Sequence, residues 1–363
     1  PWRAFFTVSL PLARPAIATG VALALMETLA DYGTVAYFAV NTFTTGIYRA
    51  WFSLGDRIAS AQLAAILLGF VLLLVAVERI TRGRARYHNT SNRPRPSAGR
   101  LRGSAALLAS LACLTPLALG FLLPAGLLLR MALGEGDAQF GERFAILARN
   151  SFTLAGLTAL VAVMLAVVLA YSARLSKTLL AQGLNRLVGL GYAVPGTVIA
   201  VGVLIPVTRL DNWLAGQWES AFGSNPGLLL TGGIAALIYA YLARFLSVAL
   251  QTVETSLSKI TPSMDDAARS LGLGQGRTLR RVHLPILRGS LFTAGLLVFV
   301  DVMKELPATL VMRPFNFDTL ATQAYTLASD ERLAEASTAA LAIVAVGLLP
   351  LIALSRQISL ARK

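Results

Sequence analysis

The sequence predicts an all-α fold, a polytopic membrane helix bundle of about eight transmembrane helices. Three observations carry that expectation: apolar runs long enough to cross a bilayer, charges gathered between those runs, and a lopsided distribution of Lys and Arg among alternate segments. Of the 363 residues, 56% are hydrophobic and the mean hydropathy is +0.66, whereas soluble domains run about 45–50% apolar. Charged residues make up only 14% of the chain, against about 25% in soluble domains.

The runs fall near 15–38, 58–78, 104–129, 150–173, 187–208, 227–250, 289–312 and 336–355. A helix needs about 20 residues to cross a hydrocarbon core of about 30 Å. Spanning strands are excluded, because they are shorter and alternate with period two. With the N-terminus taken as cytoplasmic, 23 of the 32 Lys and Arg fall on the inner side, at 1–14, 79–102, 174–186, 244–288 and 356–363. Eight fall on the outer side, and Lys304 lies inside a span. Ten acids lean outward (Asp56, Glu135, Asp137, Glu142, Asp211, Glu219, Asp318, Asp330, Glu331 and Glu335) and four inward. The positive-inside rule therefore places both termini in the cytoplasm.

This asymmetry also accounts for the net charge of +14. The basic stretch at 83–103 reads as a cytoplasmic linker attracted to the anionic leaflet. No aromatic stacking platform accompanies its arginines, so nucleic acid is not the expected partner. The single cysteine, Cys113, excludes an intrachain disulfide and a cysteine-rich metal site. The chain opens on Pro1 with no cleavable signal before the first apolar run, and a segment upstream is expected.

Shifting the chain by 274 residues lays its beginning on its end without a gap. Arg3, Val8, Leu10, Pro11 and Arg14 fall on Arg277, Val282, Leu284, Pro285 and Arg288, while Phe43, Thr45, Asp56 and Arg82 fall on Phe317, Thr319, Asp330 and Arg356. Loop polarity and span positions coincide as well. Both copies have the same orientation, so the pseudo-symmetry axis is expected along the membrane normal, with a substrate path between the halves.

The inner-side loop after the sixth run reads Asp266-Ala267-Ala268, then Gly272, then Val282-His283-Leu284-Pro285. Ser263 or Asp265 can cap a short helix there, the alanines allow a partner to approach closely, and Gly272 can end the helix. The pattern resembles the EAA-x3-G-x9-I-x-LP motif of binding-protein-dependent ABC importer permeases, with Asp for Glu and Val for Ile. That resemblance implies the type I importer permease fold. It also implies a coupling helix within 264–285 that seats on an ATP-binding cassette subunit, expected in two copies. Of a first such loop only Val8, Leu10 and Pro11 remain, and the glycine of that copy would fall ahead of Pro1. The chain thus resembles a fused, two-half permease whose first half lacks its early helices: 1–82 with two spans, the linker at 83–103, and 104–363 with six spans and a coupling loop at 256–288.

Glu27 and Asp31 lie in the first run, and Asp301 and Glu305 lie at their shifted equivalents. Each pair is spaced i, i+4, which places both carboxylates on one face of a continuous helix. An ionised side chain at mid-bilayer costs at least about 2.5–3.5 kcal/mol, so four at related positions suggest a polar path. Gly33 and Pro307 follow each pair and loosen the helix. The segments METLADYGT, DVMKELPAT and RPFNFDTLAT resemble the ferric-iron branch of these permeases, and hard oxygen donors suit Fe(III). In the other reading the acids are hydrogen-bonding glue, with Lys304 neutralising Asp301 or Glu305.

No GxxxxGK[ST] phosphate loop occurs, and no catalytic constellation is visible. His88 and His283 sit in unrelated contexts. The expectation is a non-enzymatic permease of the bacterial inner membrane that binds no cofactor itself. ATP and magnesium belong on the partner subunit, and a periplasmic binding protein delivers the substrate. Thiamine, a polyamine or an oxyanion remains the alternative cargo, and an ion-coupled secondary transporter or a polytopic membrane enzyme the alternative class.

Overall fold

The structure is a computed structural model that describes residues 2–82, 101–134, 141–176 and 178–361. In chain order its helices are α1 (Trp2–Ala30), α2 (Gly33–Tyr37), α3 (Phe43–Tyr48), α4 (Arg57–Arg82), α5 (Ser104–Gly134), α6 (Glu142–Leu175) and α7 (Leu179–Val188). There follow α8 (Gly196–Phe222), α9 (Ala235–Leu257), α10 (Pro262–Ser270), α11 (Gln275–Met303), α12 (Pro307–Met312), α13 (Leu320–Ser329) and α14 (Leu333–Ala361). Eight of them, α1, α4, α5, α6, α8, α9, α11 and α14, are long and apolar enough to cross a membrane. Among the described residues there is no strand. The linker up to Arg100, His88, Glu135 and Asp137 lie outside the described residues.

The centre of the bundle is α6, α9 and α11, packed against one another. Ala155, Ala159, Ala162, Ala166 and Ala170 form a buried stripe down α6 at helical spacing. Small side chains let helix backbones approach closely, which is the source of packing energy in a solvent as apolar as the helices themselves. The opposite case is α5, which buries nothing and exposes leucines such as Leu107, Leu108 and Leu119 all around. Such a surface is stable only against lipid.

Two apolar runs continue past the point where the backbone stops being helical. Asp31 has φ −65° and ψ 134°, so α1 ends at Ala30 and not at 38. α11 ends at Met303, and Pro307 starts α12 at its first position, where the missing N–H is not needed. The expected shared face of each i, i+4 acid pair is therefore overturned, since Asp31 and Glu305 lie beyond the helices that carry Glu27 and Asp301. The physical cause is local. Each carboxylate accepts backbone N–H bonds from the short helix that follows, which competes with helix continuation.

Three other expectations shift. The fifth span begins at Gly196, after Pro195, and Arg209, Asp211 and Glu219 ride on it instead of an outer loop. Asp211 is buried and accepts N–H bonds from Leu229, Leu230 and Thr231, pinning the segment that leads into α9. Arg244, counted with the inner loop, is buried in the middle of α9. The seventh span begins at Gln275, so the Val282, Leu284 and Pro285 part of the motif lies in its first turns and not in a loop reaching 288.

The internal repeat is visible in irregularities that chance seldom repeats. A π-turn at Phe5–Ser9 recurs at Leu279–His283, at the 274-residue offset, and the breaks at Asp31 and Glu305 obey the same offset. Beyond the breaks the register slips. The capping boxes Thr42–Thr45 and Thr319–Thr322, followed by Tyr48 and Tyr325, are three residues further apart, so the gapless pairing of Thr45 with Thr319 is corrected to Thr42 with Thr319.

Candidate functional site

The two breaks face each other. Glu27, Asp31, Asp301 and Glu305, all four candidate acids, line one cavity of about 510 Å³ with Tyr32, Tyr192, Arg244 and Lys304. Their environments differ. Glu305 is buried, accepts N–H bonds from Ala308 at 3.1 Å and Thr309 at 3.2 Å, and pairs with Arg244 at 3.1 Å. Its side chain thus takes up free N–H groups of the first turn of α12 from one residue before the cap position, Leu306. Asp31 stands in the same relation to α2, accepting from Thr34 N–H at 3.4 Å. Asp301 pairs with Lys304 at 3.0 Å. Glu27 is exposed to the cavity with Tyr192 beside it, and makes no ion pair among the described residues. Four carboxylates against two cations, both cations already paired, leave a formal surplus of negative charge.

Tyr32, which lines the cavity, belongs to a cluster of tyrosines. Tyr32 is buried, its hydroxyl lies 3.2 Å from that of Tyr325, and its ring packs on Tyr48 at 4.8 Å between centroids. Tyr48 and Tyr325 are repeat equivalents, so the cluster sits where the two halves meet.

The second candidate region is at the opposite end of the bundle. α10 spans Pro262–Ser270 and carries Asp266, Ala267 and Ala268. Its cap position is Thr261, not Ser263 or Asp265. Gly272 ends it as expected: at φ +77° it occupies the left-handed region, with Gly272 N–H on the Arg269 carbonyl and Leu273 N–H on the Ala268 carbonyl. Ala268 is buried, whereas Met264, Ala267 and Leu271 form an exposed stripe at i, i+3 and i+7, Leu271 being 82% exposed. A small, apolar, outward stripe is what a docking helix needs. Val282 and Leu284 are half-buried and Pro285 is exposed at the start of α11, while Val8, Leu10 and Pro11 hold the matching place in α1.

Asp265 faces inward instead of capping. Arg174 at the end of α6 donates to it through Nε at 3.0 Å and Nη2 at 2.7 Å, and the Nε2 of buried His283 lies 2.8 Å away, poorly aligned for a hydrogen bond. Burial pushes the Asp265 carboxyl up, but the hydrogen bonds and charge of Arg174, with His283 beside it, outweigh that and hold it below its usual range.

Sequence reasoning missed Arg244, Tyr192, the tyrosine cluster and Arg174. For Arg244 a signal existed, because the run at 227–250 contains it. Tyr192 and Arg174 sit in segments with no period or motif to mark them.

No protein-family model matches the chain. The Fe(3+)-transport system permease FbpB 2 of Haemophilus influenzae is 28% identical over 363 residues, covering 98% of this chain and 68% of that protein. The ferric transport system permease FbpB of Actinobacillus pleuropneumoniae is 23% identical over 90% of this chain and 48% of its own length. A PotC homolog of the spermidine/putrescine system in Mycoplasma genitalium is 23% identical over 54% of this chain. Among solved structures, a bacterial ABC transporter that imports alginate superposes with a TM-score of 0.52 at 19% identity, over 69% of this chain and 95% of that one. The chain has the fold of an ABC importer chain and is similar over nearly its whole length to a ferric-iron permease. It spans 68% of one ferric relative and about half of the other. The alginate transporter is also known in complex with its pentasaccharide-bound periplasmic protein.

Proposed function

We propose that this permease conducts Fe(III) from a periplasmic binding protein across the bacterial inner membrane, driven by ATP hydrolysed on separate ATP-binding subunits. The observation that carries the cargo is the cavity, which gathers carboxylates from both halves and has its two cations engaged. Hard oxygen donors with surplus negative charge suit a hard, highly charged cation. An oxyanion would meet the surplus carboxylate charge there, with Arg244 and Lys304 each already set against a carboxylate. The ferric relatives support the same reading. The exposed stripe of α10 is the surface that seats on the ATP-binding subunit, one of a pair, with ATP and magnesium held by that subunit. Both termini and α10 then face the cytoplasm, in accord with the charge distribution.

Uptake of radiolabelled Fe(III) by cells carrying Glu27→Gln or Asp301→Asn, at equal membrane protein level, tests the cargo. Each variant should lower uptake about tenfold, equivalent to about 1.4 kcal/mol of lost stabilisation along the path. Unchanged uptake would remove the carboxylates from the pathway.

A further inference from the structure

The ends of α6 hold both regions described above. At one end Arg174 grips the entire approach to α10: besides Asp265, its Nη1 donates to the Leu257 carbonyl and its Nη2 to the Ile260 carbonyl, both at 2.9 Å. One turn earlier the Tyr171 hydroxyl donates to the Gln275 carbonyl at 2.8 Å, and its ring meets His283 edge-on at 5.4 Å. A single turn of α6 thus touches the exit of α9, the coupling helix and the entry of α11. A guanidinium fork that satisfies one carboxylate and two helix-end carbonyls leaves little freedom between these pieces.

At the other end, the Ser151 hydroxyl accepts the Leu320 N–H at 2.9 Å, at the first residue of α13. Asn150 Nδ2 donates to the Asp318 carbonyl at 3.0 Å, and Arg143 donates to Gln323 at 3.1 Å. α13 carries Tyr325, whose hydroxyl meets that of Tyr32, a residue lining the acid cavity. Between Ser151 and Arg174 runs uninterrupted helix, about 35 Å long at 1.5 Å per residue. The alanine stripe packs it tightly against α9 and α11, so it can shift only as a body.

We propose that α6 is the strut linking the coupling helix to the tyrosine contact, with Arg174 and Ser151 as its positioning residues. Displacement of α10 by the ATP-binding subunit moves α6, which carries α13 and separates Tyr325 from Tyr32. Docking of the loaded binding protein is reported inward along the same element. This rests on the importer reading above.

Because spatial continuity alone does not demonstrate coupling, the test is a double-mutant cycle. The readout is stimulation of ATP hydrolysis by the Fe(III)-loaded binding protein, in the assembled permease and ATP-binding subunit complex. Ser151→Ala should leave assembly and basal hydrolysis in place, and both Ser151→Ala and Arg174→Ala should reduce stimulation about tenfold relative to each variant's own basal rate, about 1.4 kcal/mol of coupling. The double variant should lose no more than either single one, because the two contacts act in series. Asp265→Asn, which keeps its shape, reads the same contact should Arg174→Ala fail to reach the membrane, and Arg174→Lys should recover stimulation only in part. Full stimulation in both single variants, losses that multiply in the double variant, or a Ser151→Ala complex that no longer assembles would each overturn the strut. Absence of stimulation in the unmodified complex would instead count against the importer reading.

Discussion

Glu27 and Glu305 share a cavity and have opposite duties, which their substitutions should separate. Glu305 is enclosed by Arg244, Ala308 and Thr309. Removing its charge in Glu305→Gln leaves a buried guanidinium unpaired, which costs about 3–5 kcal/mol. A lowered thermal midpoint and less folded protein in membranes should follow. Gly196 sets the same contact from the other side, since a Cβ there would lie 2.3 Å from Glu305 Oε1 and 3.1 Å from Arg244 Nη1. Gly196→Ala should therefore destabilise similarly, and combining it with Glu305→Gln should add little, measured as thermal midpoints of single and double variants. Glu27→Gln, at an exposed position, should change stability by no more than about 0.5 kcal/mol while lowering uptake. A thermal midpoint of Glu305→Gln equal to that of the unmodified protein would remove the capping role.

The short helix α10 depends on the carboxylate behind it. Asp265 is held below its usual range, so its contribution is present above the unfolded value and fades as pH falls through the folded one. Protection of the α10 amides, taken relative to their intrinsic exchange rate at each pH, should be high at neutral pH and fall as pH drops through the carboxylate range, below about 4. Asp265→Asn should show the lower protection throughout and lose this pH dependence. This helix was largely legible in advance, because motif spacing and a terminal glycine are local signals. Its anchor was not: Arg174 and Asp265 are 91 positions apart and nothing periodic connects them. At the ends of α1 and α11 the sequence marked Gly33 and Pro307 as loosening points, but the helices already stop at Ala30 and Met303. Hydropathy continues through Val35 and Ala36, or Leu310 and Val311, although a side-chain cap has already ended the helix.

At the scale of the molecule, the number of spans was readable because it is a one-dimensional property of composition, and the proposed orientation rests on the charge distribution alone. Moving Arg244 into the membrane leaves 22 basic residues on the inner side and does not alter the direction of the bias. The topology makes a simple prediction, given Leu271 just after α10 at 82% exposure and Phe315 between α12 and α13 at 95%. In a Cys113→Ser background, Leu271→Cys should react with a membrane-impermeant maleimide only from the cytoplasmic side and Phe315→Cys only from the periplasmic side. Labelling of both from one side would refute the orientation. The central claim, that work done by an ATP-binding subunit enters through α10 and opens the acid-lined path, is tested most directly in liposomes. They would hold the permease with its ATP-binding subunit, ATP and Fe(III)-loaded binding protein, and accumulated Fe(III) would be measured for the unmodified chain and for one lacking Ala267–Gly272. The account predicts ATP-dependent accumulation that the deletion abolishes while the bundle stays folded. Accumulation undiminished by the deletion would contradict it.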